Sequence, residues 1–361
     1  MKLLLIVITI LLPTFCYSLP LDKIALPPGF AIDVYAEGVD NARQMALGNK
    51  GTLFVGSRKA GKVYALIDSN NDKQADQIID VANKLFMPSG IVYYRGDLYV
   101  AEVDKIWRYP NIEASLPEIP TPELVYNQLP DRPHHGWKFI KFGPDGQLYI
   151  PVGAPCNVCE SKPPFASIIK LNLTNKTTRV VASGVRNSVG FDFHPQTGDL
   201  WFTDNGRDMM GDDLPDDELN HVSKEGQFFG FPYIHNDDIQ DPKFSASEKV
   251  KQNRKPALKL GAHVASLGME FYQGNMFPAE YKNNIFIAEH GSWNRSKKVG
   301  YRIVQVILEG DKVVNSEVFA SGWLQGEESW GRPVAVLTMP DGSLLVSDDA
   351  ADAIYRISYK K

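Results

Sequence analysis

The sequence predicts an all-β fold, a six-bladed β-propeller with an insertion between its fourth and fifth repeat copies. Three observations carry this: a short apolar run returns six times behind a turn, a second β-rich run follows most copies, and helical periodicity is nearly absent. In order, the copies are Leu53-Phe54-Val55, Leu98-Tyr99-Val100, Leu148-Tyr149-Ile150, Leu200-Trp201-Phe202, Ile285-Phe286-Ile287 and Leu344-Leu345-Val346. Each follows a turn rich in Gly, Asp or Asn, and KVYALI, KIWRYP, SIIKLNL, YRIVQVIL and AIYRISY supply the second runs. The copies recur at intervals of 45, 50, 52, 85 and 59 residues, and short strands between such turns at about this period are what propeller blades produce. The wide interval between the fourth and fifth copies places an insertion or long loop at residues about 208–260.

The remaining features bound the class. With 361 residues, 43% hydrophobic and 22% charged, the chain is long and apolar enough to fold as a globular protein. A net charge of −5 without a basic block excludes the electrostatic footprint of a nucleic-acid binder. Lys2, the apolar run Leu3 to Leu12 and Cys16-Tyr17-Ser18 read as an export signal over residues 1–18, leaving 19–361 as a single propeller domain. No later stretch approaches the roughly 20 apolar residues of a spanning helix, so the expected location is periplasmic or secreted. Cys156 and Cys159 then form a structural disulfide in an oxidising compartment, since a zinc site would need two further ligands.

Candidate chemistry centres on residues Gly184 to Asn220. Arg186-Asn187 stand before one strand-like run, Gly206-Arg207-Asp208 follow the next, and acids ending in Asp217-Glu218 come after. Arginine suits bidentate recognition of anions, and clustered acids suit a hard cation. The pattern points to an anionic small molecule held with a divalent cation. His134-His135 precede the third copy, His290 follows the fifth, and Arg295, Lys297 and Lys298 come next. Arg332 leads into the sixth copy. Histidine is the residue type for a general base near neutral pH. Neither a nucleotide-binding glycine motif nor a GxSxG elbow occurs.

Four stretches carry a resemblance: HGWKFIKFGPDGQLYIPVGAPCNVC, GVRNSVGFDFHPQTGDLWFTDNGRDMMGDDLPDDELN, IAEHGSWNR and WGRPVAVLTMPDGSLLVSDD. The chain resembles the soluble sugar dehydrogenases dependent on pyrroloquinoline quinone (PQQ), in particular the sorbosone or pyranose dehydrogenase branch. The resemblance implies a propeller holding PQQ and Ca²⁺ and a sugar as substrate. It implies His135 as the base, eight residues before Gly143, taking the sugar hydroxyl proton as hydride passes to the quinone. It further implies Arg186, Asn187, Arg332 and one of Arg295 or Lys297 as cofactor contacts, with calcium at backbone carbonyls of Gly206 and Arg207. Ser89, Val334 and Ala335 depart from the family pattern, which bears on cofactor affinity and substrate preference. Glu160 follows Cys159, so no haem motif is present and a separate acceptor, a cytochrome or quinone, is expected. The alternatives are a propeller that binds carbohydrate or a partner without catalysis, and a metal-dependent lactonase, which would not need Arg186, Arg295 and Arg332 together.

Overall fold

In the computed structural model, which describes residues 18–244 and 248–360, all six apolar runs occupy the same place: each is the second strand of a four-stranded antiparallel blade. Blade one comprises Ala42–Leu47, Leu53–Ser57, Val63–Ile67 and Gln77–Ala82, and blade two Gly90–Tyr94, Asp97–Ala101, Ile106–Tyr109 and Glu123–Tyr126. Blade three runs Lys141–Phe142, Leu148–Val152, Ser167–Leu171, Thr178–Ser183; blade four Gly190–Phe193, Leu200–Asp204, Asp216–Val222, Leu258–Ala262. Blade five is Ser266–Phe271, Ile285–Glu289, Arg302–Glu309 and Lys312–Ser321, and blade six begins with Pro333–Thr338, Leu344–Asp348 and Ala353–Tyr359. Among the described residues no helix is long and apolar enough to cross a membrane. The proposed export signal lies outside the described residues, apart from Ser18.

Why the runs lack polar alternation follows from the packing. Successive side chains of a strand point to opposite faces, and here both faces meet another blade. Leu53 and Val55 join the cluster shared with blade six, whereas Phe54 between them joins the cluster shared with blade two. Leu148 and Ile150 pack toward blade two, Tyr149 toward blade four. Leu200 and Phe202 pack toward blade three, and Trp201 toward blade five. A strand covered on both faces reads as a continuous apolar run.

The ring closes through a strand the repeat does not contain. Phe30–Glu37 pairs antiparallel with Ala353–Tyr359, setting Phe30 opposite Tyr359, and becomes the outer strand of blade six. Its half-exposed pattern explains why no repeat copy marks it. The Phe30 ring meets Phe277, Tyr281, Phe319 and Tyr359 at centroid distances of 4.8, 5.2, 5.0 and 4.9 Å, joining the N-terminal strand to blades five and six. Replacing Phe30 by Ala is expected to lower unfolding free energy by about 2 kcal/mol, below the cost of truncating a fully buried aromatic because Phe30 is only partly buried. Urea denaturation measures it, and a loss under about 1 kcal/mol would show that closure does not depend on this ring.

The insertion is shorter than the sequence suggested. Asp216–Val222 and Leu258–Ala262 are the third and outer strands of blade four, so only residues 223–257 leave the repeat. Acids in the third strand disguised it: Asp217 and Glu218 are buried there and bonded to backbone or Asn groups. From the insertion, Gln227–Phe228 adds in parallel to the edge of blade three, and Ile234–His235 pairs with Ile239–Gln240.

Candidate active site

First strands begin, and second strands end, at one rim of the ring, and their flanking loops enclose a cavity of about 270 Å³. His135 and Trp137 enter it ahead of blade three, Arg186 and Asn187 ahead of blade four, and Arg332 ahead of blade six. Asn205, Gly206 and Asp208 come from the loop leaving Leu200–Asp204, and His290, Gly291 and Trp293 from the one leaving Ile285–Glu289. Blade one adds Arg43 and Arg58. Residues far apart in the chain thus share one mouth.

His135 is held by its backbone as well as its ring. It is buried, its φ is +50°, and Nδ1 lies 3.0 Å from the carbonyl oxygen of Ala154. With Nδ1–H as donor to that carbonyl, Nε2 carries the free lone pair. Burial pushes its pKa well below the usual histidine range, and the positive charge of Arg186 and the neighbouring His134 add to the effect. The imidazole is therefore neutral at physiological pH, the form a base requires. Gly153 permits the arrangement: a Cβ there would stand 2.5 Å from the His135 Cβ. The Ala154 N–H in turn donates to the Arg186 carbonyl (2.8 Å), so one residue ties the histidine loop to the arginine loop.

Four guanidinium groups surround the cavity. Arg186 donates from Nε to the Asn157 carbonyl (2.8 Å), from Nη1 to the Asn205 carbonyl (3.1 Å), and from Nη2 to Asn157 Oδ1 (2.8 Å) and Asp208 (3.0 Å). Arg43, 2% exposed, pairs with Asp349 at 2.8 Å, yet its buried Nε has no partner. Asp349 also accepts from His290 Nε2 at 2.6 Å; against its burial, the His290 and Arg43 contacts hold its carboxyl below the usual range. Arg332 donates to the carbonyls of His290 (3.0 Å) and Gly291 (2.7 Å), and Arg58 lies 4.7 Å over the Trp137 ring. Among the described residues neither Arg332 nor Arg58 forms an ion pair with a carboxylate in this structure. Burial and then the Arg43 charge bring the Arg58 pKa down to about 10, against an opposing pull from Asp349.

The nearby acids are occupied with backbone. Asp204 accepts the N–H groups of Arg186 (2.8 Å) and Asn187 (2.6 Å), and Asp217 those of Gly206 and Ser266 (both 2.9 Å). Burial pushes these carboxyls up to about 7 and about 6. No cluster of three acidic, His or Cys side chains suited to a metal occurs among the described residues. A cation here would have to rest on carbonyl oxygens and on oxygens of its co-ligand, donors that calcium accepts.

The residues singled out in the sequence divide. His135, Arg186, Asn187, Gly206 and Arg332 line the cavity together. Arg207 does not; its side chain pairs with Asp241 of the insertion and lines a separate space of about 20 Å³ behind Arg186. Arg295 and Lys297 also lie outside the lining. Arg295 bonds the Asp212 carbonyl and Asp213, tying the loops of blades five and four, and Lys297 is exposed. Ser89 donates to the Lys138 carbonyl and Ala335 packs against Gly268, and neither lines the cavity. Arg43, Arg58 and Asn157 went unread in the sequence, although Arg58 follows the first repeat as His290 follows the fifth. The expected disulfide joins Cys156 to Cys159.

Comparison with known proteins places this geometry. The family model described as "Domain of unknown function (DUF7133)" matches residues 18–355. The chain belongs to the DUF7133 family. An uncharacterized protein of Borreliella burgdorferi is 36% identical over 357 residues, covering 94% of this chain and 92% of its own. A pyrroloquinoline quinone-dependent pyranose dehydrogenase of Coprinopsis cinerea is 30% identical over 125 residues, covering 28% of this chain and 16% of that protein. Among solved structures, the holo PQQ domain of the Coprinopsis cinerea pyranose dehydrogenase superposes with a TM-score of 0.77 at 18% identity, covering 93% of this chain and 97% of that one. The calcium structure of a Trichoderma reesei carbohydrate-active enzyme of family AA12 gives 0.82 at 17%, covering 96% and 100%. The apo soluble aldose sugar dehydrogenase of Escherichia coli gives 0.69 at 17%, covering 92% and 100%. These likenesses establish that the DUF7133 chain has the fold of the sugar dehydrogenases.

Proposed function

We propose that this DUF7133 protein is an exported, PQQ- and Ca²⁺-dependent sugar dehydrogenase of the sorbosone or pyranose type. The observation that carries the reading is the meeting of an unprotonated His135 with guanidinium groups from blades one, four and six at one cavity. The fit to a multiply anionic cofactor rests on Arg43, whose buried Nε is unpartnered, and on Arg58 and Arg332, which lack carboxylate partners in the structure. Arg186 and Asn187 would hold it from the side of blade four, and carbonyls at the Gly206 turn would serve calcium. When bound, PQQ accepts the hydride and calcium polarises its quinone carbonyl.

The chain's own residues do the rest. His135 Nε2 takes the proton from the sugar hydroxyl whose carbon is oxidised, and the Ala154 carbonyl steadies the imidazolium that results. Trp293, at the lip and 68% exposed, offers an apolar face to the sugar ring. Electrons leave to a separate acceptor, a cytochrome or quinone. A disulfide in CNVC is consistent with an oxidising compartment.

The test is reconstitution of the purified protein with PQQ and Ca²⁺, followed by dye reduction with a panel of aldoses, pyranoses and sorbosone. Sugar-dependent reduction that requires both additions is the expected result. No cofactor absorbance change and no reduction with any sugar would overturn the proposal.

A further inference from the structure

Arg186 is the cavity arginine most completely fastened by protein groups, and half of its side-chain bonds go to one residue that never touches the cavity. Asn157 accepts from Arg186 Nε through its carbonyl (2.8 Å) and from Nη2 through Oδ1 (2.8 Å). The same Oδ1 accepts the Asp208 N–H (2.9 Å), and Nδ2 donates to the Asp208 carbonyl (3.0 Å). One amide thus joins Arg186 to the loop that carries Gly206 and Asp208.

Asn157 can do this because its backbone cannot wander. It lies in the short ring closed by Cys156 and Cys159, whose Cα atoms are 6.1 Å apart. Cys156 and Val158 pack against Ala154, Ala166 and Phe231, seating the ring between blade three and the insertion. A cross-link of this kind removes alternative loop conformations. The Ala154 carbonyl that receives His135 Nδ1 is just ahead of the ring, so base and arginine are referenced to one rigid segment.

The residue type is also informative. Aspartate would keep the acceptor but lose the donor to Asp208, and its charge would cancel the guanidinium. Asp208 already pairs with the guanidinium at 3.0 Å, and an amide at 157 orients the cation without adding a second carboxylate beside it. We propose that Asn157, held in the Cys156–Cys159 ring, is the positioning residue for Arg186 and sets the affinity of the cavity for its anionic cofactor. This deepens, and rests on, the PQQ reading of the same site.

The experiment compares the intact protein with Asn157→Ala, Asn157→Asp and a Cys156→Ser/Cys159→Ser double variant. Two readouts are taken: the Arg186 Nη2–H nitrogen resonance, the one bonded to the Asn157 side-chain oxygen, with its protection from water exchange, and the dissociation constant for PQQ in the presence of Ca²⁺ by tryptophan quenching. Asn157→Ala is expected to lose the protected resonance and raise the dissociation constant about tenfold, the scale of one charge-assisted hydrogen bond. At saturating cofactor its kcat should stay within about threefold, because the base is untouched. Asn157→Asp should keep the resonance yet bind PQQ more weakly than Asn157→Ala, a split that a purely structural role would not produce. The double serine variant should lose both. Should the intact protein fail to bind PQQ, the functional reading falls, while the Arg186 resonance alone still decides the positioning role. A resonance and affinity unchanged in Asn157→Ala would overturn the inference.

Discussion

His135→Ala is expected to lower kcat by about 10² to 10⁴-fold, the usual cost of removing a general base, while changing the PQQ dissociation constant little. The asymmetry follows from the site. His135 contributes a lone pair at Nε2, whereas the charge facing the ligand comes from arginines on other blades. Near-normal turnover in this variant would reject the assignment. The pH profile supplies a second check. An ordinary histidine base would lose activity as pH falls through about 6.5. Because burial and Arg186 hold His135 well below that range, the acid limb of kcat/KM should lie below pH 6.5. The same shift bears on stability. His290 is also pushed down by burial, to about 4. As pH falls through 6.5 the unfolded chain takes up protons that these two buried rings resist, so their contribution lowers stability progressively from pH 6.5 toward 4. An acid limb centred at or above 6.5 would contradict the burial argument.

Arg58→Met combined with Arg332→Met is expected to weaken PQQ binding by about 100-fold, taking roughly tenfold for each charge-assisted contact and near-additivity for groups on different blades. Methionine keeps much of the packing on Trp137 and Tyr301, over which the two guanidinium carbons now lie at 4.7 and 5.3 Å. The affinity of the unaltered protein should also fall with added salt more steeply than that of the double variant, since the lost attraction is between charges. Equilibrium titration at two ionic strengths measures both effects. Double-variant binding within about threefold of the parent would show that the anionic cofactor is not held by these cations. Arg186 and Arg43 are less suitable subjects, because their bonds to Asn157, Asp208 and Asp349 also organise the rim.

Legibility of the fold varied with how local the cause was. Leu148-Tyr149-Ile150 could be read because each side chain obeys a short-range rule, burial on the face it points to. Phe30–Glu37 could not, since it resembles no other strand and its partner lies at the far end of the chain. Asp216–Val222 was masked by its acids. Carboxylates usually signal solvent, and only the buried N–H groups of Gly206, Ser266 and Asn236 explain why Asp217 and Glu218 face inward.

The candidate site shows the same division. Arg186-Asn187 stood out through their motif, as did His135 and Arg332, and these four line one cavity. Gly206 and Arg207 are sequence neighbours, yet adjacent residues point in different directions, and only Gly206 borders that cavity. Arg58 carries no signal beyond its place after the first repeat. Its membership comes from a stack on Trp137, a residue of another blade.

By itself, then, the sequence determined the six repeats, the all-β class, the cysteine pair and a short set of chemically apt residues, because each depends on side-chain type and local spacing. Tertiary structure decided which charges meet, how the ring closes, and that Asn157 joins Asp208 in holding Arg186. Those outcomes depend on contacts between loops from separate blades, whose distances are fixed only when the blades pack around a common axis.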